Sequence, residues 1–128
     1  SSSSSSSSAE VFALLDGRRD VGMALILQVF ARVVSRPALL DARDCAGRSP
    51  LMAAVQRGSL PLVRALLAAG ASSNARGGNG WTALHFAAVG TNAHMCEVLL
   101  DHRADVDSPS ADGYSALFYA HCAGGNSS

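Results

Sequence analysis

The chain contains no lysine and carries no net charge. Ten arginines balance ten acidic residues over 128 residues, so no overall field attracts nucleic acid or an acidic membrane surface. Apart from Arg18-Arg19 the arginines also occur singly, whereas a nucleic-acid surface favours basic residues interleaved with aromatic ones. We therefore predict neither a nucleic-acid partner nor a membrane partner.

The two signs of charge are unevenly distributed. Residues 1–76 hold nine arginines and five acids, a net charge of +4, and residues 77–128 hold one arginine and five acids, a net charge of −4. Two interpretations stay open. The asymmetry is either compositional drift along a helical rod or complementarity to an elongated partner, which would mainly speed association.

Common catalytic and metal-binding motifs are missing. The sequence has no G-x-S-x-G, H-E-x-x-H, G-x-x-x-x-G-K-[ST] or C-x-x-C motif, and its four histidines are not placed at zinc-ligand spacing with the cysteines. The glycine-rich segment 77–80 lies in a predicted turn, where Asn79-Gly80 favours positive φ, and not between a strand and a helix. We predict no enzyme activity, no cofactor, no metal and no small-molecule substrate.

The cysteines and the hydropathy pattern indicate in which cellular compartment the chain functions. The three cysteines, Cys45, Cys96 and Cys122, are an odd number at unrelated spacings, which argues against a disulfide framework. No charged segment followed by a cleavable apolar core precedes the fold. The apolar run that begins at Val21 is too short to cross a bilayer and contains Gln28. An intracellular location, cytoplasmic or nuclear, is predicted.

Three segments of similar sequence recur at intervals of 33 residues. They read SPLMAA at 49–54, TALHFA at 82–87 and SALFYA at 115–120. A glycine stands two residues before each of them: Gly47, Gly80 and Gly113. A fixed period of this length is typical of stacked units that cannot bury an apolar face alone.

These segments resemble the ankyrin-repeat family. Residues 81–88 are similar to the family's T-P-L-H-x-A-A signature with Ala83 in place of proline, and residues 49–54 put Met52 in the histidine position. The segments 62–71 and 95–104 also match each other and the family's second helix. The resemblance covers about two thirds of the chain.

The resemblance implies an all-α ankyrin-repeat solenoid, in which helix-turn-helix repeats with hairpin-like loops stack into one rod. The last unit is predicted to have one helix to about Cys122 and no outer partner, which leaves Leu117 partly uncovered. The first eight serines are a flexible tail, an expression remnant or a stand-in for unassigned sequence. The predicted segments are a tail at 1–8, a divergent N-terminal helical pair at 9–40, repeats at 41–76 and 77–109, a truncated repeat at 110–124 and a tail at 125–128.

Helix boundaries follow from capping residues and glycines. In the N-terminal pair we predict a short helix over 9–15, a turn over 16–19 and a longer helix over 20–35 that is capped by Asp20. This longer helix is apolar nearly all round, which favours a buried packing helix. Gly58 and Gly70 are predicted to end the two helices of the first full repeat. In the next repeat Thr91 and Arg103 take these glycine positions, which predicts strain there. The predicted capping residues of the repeats are Ser49, Ser59, Thr82, Asn92 and Ser115.

One continuous core is predicted along the stack. Its members are apolar residues from both helices of each repeat: Leu51, Ala54, Leu66, Leu67, Leu84, Ala87, Leu99 and Leu100.

The predicted function is non-catalytic binding of a partner protein through the concave surface of inner helices and loops, as in a scaffold. The residues after the three repeat glycines are Arg48, Trp81 and Tyr114, and these residue types are enriched at interface hot spots. A structural alternative is that the rings pack on the neighbouring loop. Positions used for contact across the family correspond here to Cys45, Ala46, Gln56, Arg57, Asn79, Val89, Ala111 and Asp112.

Two further expectations rest on the resemblance. His85 is predicted to hold adjacent repeats in register through hydrogen bonds of its imidazole. Asn74 lies where some members are hydroxylated, although stabilisation of the turn is its expected role. An assembly element is the alternative function: the open last repeat or the apolar N-terminal helix would dock on a second copy or a larger chain.

Overall fold

The fold consists of helices and the loops between them. The computed structural model describes residues 11–15, 22–44, 46–90 and 92–123. Within these ranges no strand is present, and the predicted all-α class is confirmed. The helices are α1 (helical residues 11–15), α2 (Met23–Ser35), α3 (Pro50–Arg57), α4 (Leu60–Ala69), α5 (Ala83–Val89), α6 (Ala93–Asp101) and α7 (Ala116–Ala123), with a 3₁₀ turn at Pro37–Asp41.

The helices pack in two rows. Helices α3, α5 and α7 lie side by side and are called the inner row; α2, α4 and α6 form the outer row. Helices that follow each other, α3 with α4 and α5 with α6, pack across the two rows. Small side chains allow the inner helices to approach closely, and the alanines buried there are Ala53, Ala54, Ala83, Ala87, Ala88 and Ala116.

Capping chemistry explains the ends of α3 and α4. The Ser49 hydroxyl accepts a hydrogen bond from the Met52 N–H at 3.4 Å, and Pro50 occupies the first helical position. Gly58 and Gly70 end the two helices with φ of 84° and 111°. These predictions are confirmed. Ser59 and Asn92 precede α4 and α6 as predicted, but neither side chain makes a capping hydrogen bond.

Arg103 follows α6 in the left-handed conformation. Its φ of 65° is the only positive value among the described non-glycine residues, and this conformation is unfavourable for a residue with a Cβ. The predicted strain at this helix end is therefore confirmed. Thr91, the other replaced glycine, lies outside the described residues.

Helix α2 differs from its prediction in two respects. It begins at Met23 after Gly22, which provides no side-chain cap; the predicted cap Asp20 and the predicted turn 16–19 lie outside the described residues. The end at Ser35 is confirmed. The prediction of a buried packing helix is only partly right: the side of α2 that packs against α4 and the 3₁₀ turn is buried, but Met23 and Leu27 are exposed.

The predicted core is mostly confirmed. Leu51, Ala54, Leu66, Leu67, Leu84, Ala87 and Leu99 are all buried. Leu100 was predicted to be buried, which is wrong: it is 43% exposed. Its equivalent in the previous repeat, Leu67, lies on α4, which has the outer-row helix α6 beside it, whereas no described outer-row helix follows α6.

Three loops precede the inner helices and share one geometry. Loop 1 (44–48), loop 2 (77–81) and loop 3 (110–114) are each closed by a hydrogen bond from the first N–H to the last carbonyl, at 3.1, 2.8 and 2.9 Å. The loops are linked in turn: the Gly78 N–H donates to the Gly47 carbonyl at 3.2 Å and the Ala111 N–H to the Asn79 carbonyl at 3.1 Å.

Glycine is required at the tip of loop 2 for two reasons. Gly80 has a φ of 75°, and a Cβ there would lie 2.7 Å from the Ala111 backbone nitrogen. The loop conformation and the close approach of loop 3 both exclude a side chain. The positive φ predicted for Asn79-Gly80 therefore belongs to Gly80 alone.

Candidate protein-binding surface

Arg48 is held within loop 1 by Asp44. The Asp44 carboxylate accepts hydrogen bonds from the Arg48 N–H at 2.8 Å and from its guanidinium at 3.0 and 3.3 Å. Burial acts to raise the pKa of Asp44, but the hydrogen bonds from the Arg48 backbone and side chain outweigh it and lower the pKa. Arg48 thus has a structural use in closing the loop, and a binding role for it stays a prediction.

The two predicted contact residues at the end of α3 differ in exposure. Gln56 is exposed and its side-chain oxygen accepts a hydrogen bond from the Arg48 guanidinium. Arg57 is half-buried and donates to the Leu15 carbonyl, so it ties α3 to α1. Only Gln56 of this pair therefore presents an exposed side chain.

An aromatic cluster occupies loops 2 and 3 and the adjacent inner helices. It consists of Trp81, His85, Phe86, Tyr114, Phe118 and Tyr119. The half-buried Trp81 ring lies between three of them, with centroid distances of 4.8 Å to Tyr119, 5.2 Å to Phe86 and 5.8 Å to His85. Trp81 therefore supports the stacking of α5 on α7, as the structural alternative anticipated, while part of its surface remains open.

Tyr114 forms the exposed edge of this cluster. Its ring stacks on Phe118 at 4.2 Å and 15° and meets Tyr119 edge-on at 6.2 Å. Tyr114 is 46% exposed and Phe118 is 43% exposed. The predicted residues Trp81 and Tyr114 thus both contact the ring of Tyr119.

Sequence reasoning missed three inner-helix members of the cluster, Phe86, Phe118 and Tyr119. Phe86 and Tyr119 occupy the repeat position that is Ala53 in the first copy. Five of the chain's seven tyrosine, tryptophan and phenylalanine residues belong to the cluster. A comparison of the three repeat copies would have shown this concentration, because aromatic residues replace a small one at the same position.

His85 connects the aromatic cluster to loop 3. It is fully buried, and its Nδ1 accepts a hydrogen bond from the Thr82 N–H at 3.1 Å and lies 3.0 Å from the Thr82 hydroxyl. Because a backbone N–H can only donate, the ring proton lies on Nε2, which faces the Tyr114 carbonyl at 3.3 Å. The predicted role of His85 in joining adjacent repeats is confirmed.

Burial determines the protonation state of this imidazole. Desolvation lowers the pKa of His85, and the positive charge of Arg76 adds to the effect, although the hydrogen bond to Tyr114 acts in the opposite direction. The neutral ring that the hydrogen bonds require is therefore also favoured electrostatically.

The comparison with family models agrees with the stacked helical pairs and linked loops. The model of ankyrin repeats, in three copies, matches residues 9–107 and 51–127, which is more than half of the chain. The chain belongs to the ankyrin-repeat family. Ankyrin repeats are generally protein–protein interaction modules and are typically non-catalytic.

Several curated proteins are similar to this ankyrin-repeat chain. An ankyrin repeat-containing protein of Treponema pallidum (strain Nichols) is 41% identical over 98 residues, 71% of this chain and 33% of that protein. The human transient receptor potential cation channel subfamily A member 1 is 37% identical over 90 residues, 70% of this chain and 8% of the channel. Inversin of Danio rerio is 38% identical over 74 residues, 58% of this chain and 7% of inversin. The chain thus spans a third or less of the length of these relatives.

The remaining predicted contact residues of the ankyrin surface are solvent-exposed. Asn79 lies in loop 2, Ala111 and Asp112 in loop 3, and Val89 at the end of α5. Ala46 of loop 1 is also exposed, and Cys45 lies outside the described residues. Loops 2 and 3 therefore bring the predicted polar residues next to the aromatic cluster.

Asn74 links two ankyrin repeats on the outer-helix side. Its amide donates to the Arg103 carbonyl at 3.1 Å and accepts from the Asp105 N–H at 2.8 Å. The amide therefore stabilises the turn after α4 against the turn after α6. Hydroxylation of Asn74 stays a prediction.

Neither a metal site nor a membrane span is found where the structure is described. No three histidine, cysteine or acidic residues among the described positions could hold a metal ion. In the same part of the chain, no helix is sufficiently long and apolar to cross a bilayer.

Proposed function

We propose that this chain binds a partner protein through the surface formed by loops 2 and 3, the exposed edge of the aromatic cluster and the adjoining inner helices. The observation that carries the proposal is the aromatic cluster, of which Tyr114 and Phe118 are exposed and Trp81 is half-buried. Aromatic side chains offer a large contact area, and tyrosine, tryptophan and arginine dominate interface hot spots.

The rigidity of loops 2 and 3 and of the aromatic cluster also favours this surface as the binding site. The Trp81 ring contacts three other rings, the Tyr114 ring is stacked on Phe118, and both loops are closed by hydrogen bonds. Side chains that are ordered before binding lose little entropy when a partner arrives. The exposed Val89, Asn79 and Asp112 would surround this aromatic centre with apolar and polar contacts.

The proposed binding surface is tested with the variant Tyr114→Ala and a control variant. Tyr114 is chosen over Trp81 because Trp81 also packs between α5 and α7, so its loss would mix folding with binding. We expect Tyr114→Ala to weaken partner binding at least tenfold, since truncation of an aromatic hot spot removes about 2 kcal/mol or more. Partners captured by the intact chain would be identified, purified and titrated against both proteins.

Glu97→Ala serves as the control, because Glu97 is exposed on the outer helix α6, away from the loops. Its affinity should equal that of the unchanged chain, and thermal melting should show that both variants are folded. Equal affinity of Tyr114→Ala and the unchanged chain would place the binding surface elsewhere. An intracellular location goes with this proposal and stays a prediction.

A further inference from the structure

Asp112 is the only acidic residue in the part of the proposed binding surface that loops 2 and 3 and helices α5 and α7 form. The described residues of these elements include no arginine and two histidines, the buried His85 and His121 in the last turn of α7. Asp112 is exposed, and its carboxylate makes no hydrogen bond or ion pair with a described residue. An unpaired carboxylate in such a surface is complementary to a cation.

Hydrogen bonds join Asp112 to the aromatic cluster. The Asp112 N–H donates to the Ser110 hydroxyl at 3.3 Å, and this hydroxyl lies 3.1 Å from the Tyr119 hydroxyl. The Tyr119 ring in turn lies 4.8 Å from the Trp81 ring and 6.2 Å from the Tyr114 ring. Asp112 and these three partly exposed aromatic residues therefore form one connected unit, which is called the Asp112 site.

The Asp112 site does not include the apolar residues that α7 exposes. Leu117 and Phe118 are left out, because the residues at these repeat positions are buried where another inner helix follows. Trp81 remains half-buried although loop 3 and α7 follow it. Since Tyr114 occupies the same repeat position as Trp81, part of its surface should stay open within a stack.

The arginines around the Asp112 site contact other groups. Arg76, which precedes loop 2, extends to the Ser108 hydroxyl at 3.5 Å. Two further arginines belong to the first repeat: Arg48 is paired with Asp44, and Arg57 donates to a carbonyl of α1. The carboxylate of the site therefore remains available to a partner.

We infer that the partner protein places a basic side chain, arginine or lysine, at the Asp112 site. Tryptophan and tyrosine rings attract a cation through their quadrupole, and the nearby carboxylate adds an ion pair to the same cation. Arginine fits best, because its planar guanidinium can stack on a ring and donate to a carboxylate. The inference rests on the proposed function and specifies the contact chemistry of the partner.

Selection from a library of random peptides displayed on phage provides the probes. The library is selected in parallel on the whole chain and on its Asp112→Asn variant, which loses the charge but keeps the size of the side chain. We expect peptides selected on the unchanged chain to share a basic residue at one fixed position, and this preference to be lost on the variant. Glu97→Gln removes a charge from the exposed side of α6 and should select the same peptides as the unchanged chain.

A double-mutant cycle with one selected peptide then measures the contact. The peptide and its neutral analogue, with citrulline in place of arginine or acetyl-lysine in place of lysine, are titrated against the unchanged chain and Asp112→Asn. Trp81 is the only tryptophan of the chain, so its fluorescence reports binding at the site. The neutral analogue should bind about tenfold more weakly to the unchanged chain but only about threefold more weakly to Asp112→Asn, because the rings still attract the cation. Circular dichroism checks that the variants are folded.

Two results would overturn the inference alone. One is a set of selected peptides that share no basic residue, and the other is an equal effect of neutralisation on the unchanged chain and Asp112→Asn. In both cases peptides still bind, so the proposed function stands. Failure of the proposed function gives a different result: no peptide is enriched, or the selected peptides bind Tyr114→Ala as tightly as the unchanged chain. That result would overturn the inference as well.

Discussion

His85 illustrates how single residues link the repeats. Its two ring nitrogens have different tasks: Nδ1 accepts from Thr82 at the start of α5, and Nε2 donates to the Tyr114 carbonyl in loop 3. Both tasks require one neutral tautomer. A protonated ring would have no acceptor for the Thr82 N–H, and the buried charge would be poorly solvated.

A pH dependence of stability follows from this residue. The pKa of His85 in the folded chain lies below its ordinary value of 6.5, so the unfolded chain binds this proton more readily. The contribution of His85 to stability should be complete above pH 6.5 and should be lost as the pH falls through the folded pKa. Urea unfolding at a series of pH values from about 8 to about 5 measures it.

The comparison variant is His85→Gln, which keeps a hydrogen-bonding side chain but does not titrate. Its free energy of unfolding should depend less on pH across this interval. Identical slopes for the two proteins would show that groups other than His85 account for the pH dependence.

At the scale of elements, equivalent helix ends show how the repeats differ. Helix α4 ends at Gly70 with a φ of 111°, and α6 is followed by Arg103 with a φ of 65°. Glycine adopts this conformation without a steric penalty, while a residue with a Cβ is destabilised by about 1–2 kcal/mol. The same turn is therefore relaxed in one repeat and strained in the next.

Substitutions at these two positions should have opposite effects. Arg103→Gly should raise the free energy of unfolding by about 1 kcal/mol, and Gly70→Ala should lower it by about 1 kcal/mol. A Cβ at residue 70 meets no atom closer than 3.9 Å, so conformational strain alone is tested. Chemical denaturation measures both changes, and a decrease in both variants would contradict the explanation.

At the scale of the whole molecule, each repeat depends on its neighbours for burial. The inner and outer rows share one apolar core, which runs from Val11 in α1 to Ala116 in α7. A stack of this kind gains stability from the contact surfaces between units rather than from any unit alone. Loss of packing in one repeat should therefore affect the entire short array.

Leu66→Ala tests this dependence. Leu66 is fully buried in α4, and removal of its side chain should lower the free energy of unfolding by about 2–5 kcal/mol, a large part of the stability of a small domain. Leu100→Ala, a change at an exposed leucine of α6, should lower it by about 0.5 kcal/mol or less. Calorimetry should show one cooperative transition in both proteins, and comparable losses would contradict the assigned core.

Local sequence patterns predicted the helix limits of the repeats well, because capping and helix termination depend on residues that are adjacent in sequence. Ser49, Pro50 and Gly58 define the limits of α3 through a cap, a permitted first-turn proline and a left-handed stop. The start of α2 was less predictable, since Asp20 offered a better cap by sequence than Gly22. The candidate surface was partly predictable: Trp81 and Tyr114 follow a repeat glycine, but Phe118 matches a buried position in the other repeats.

The sequence alone was sufficient to predict the order of the helices, the glycines of the loops and the family. Capping and φ preference depend on residues that are close in sequence, and the 33-residue period is visible in the sequence itself. The exposure of a side chain, in contrast, depends on tertiary packing. Leu84 and Leu117 occupy the same repeat position in similar local sequences, yet Leu84 is buried and Leu117 is exposed. The tertiary packing also gathered the aromatic rings of two repeats, since the contacts of Trp81 with Tyr119 depend on which segments meet in space.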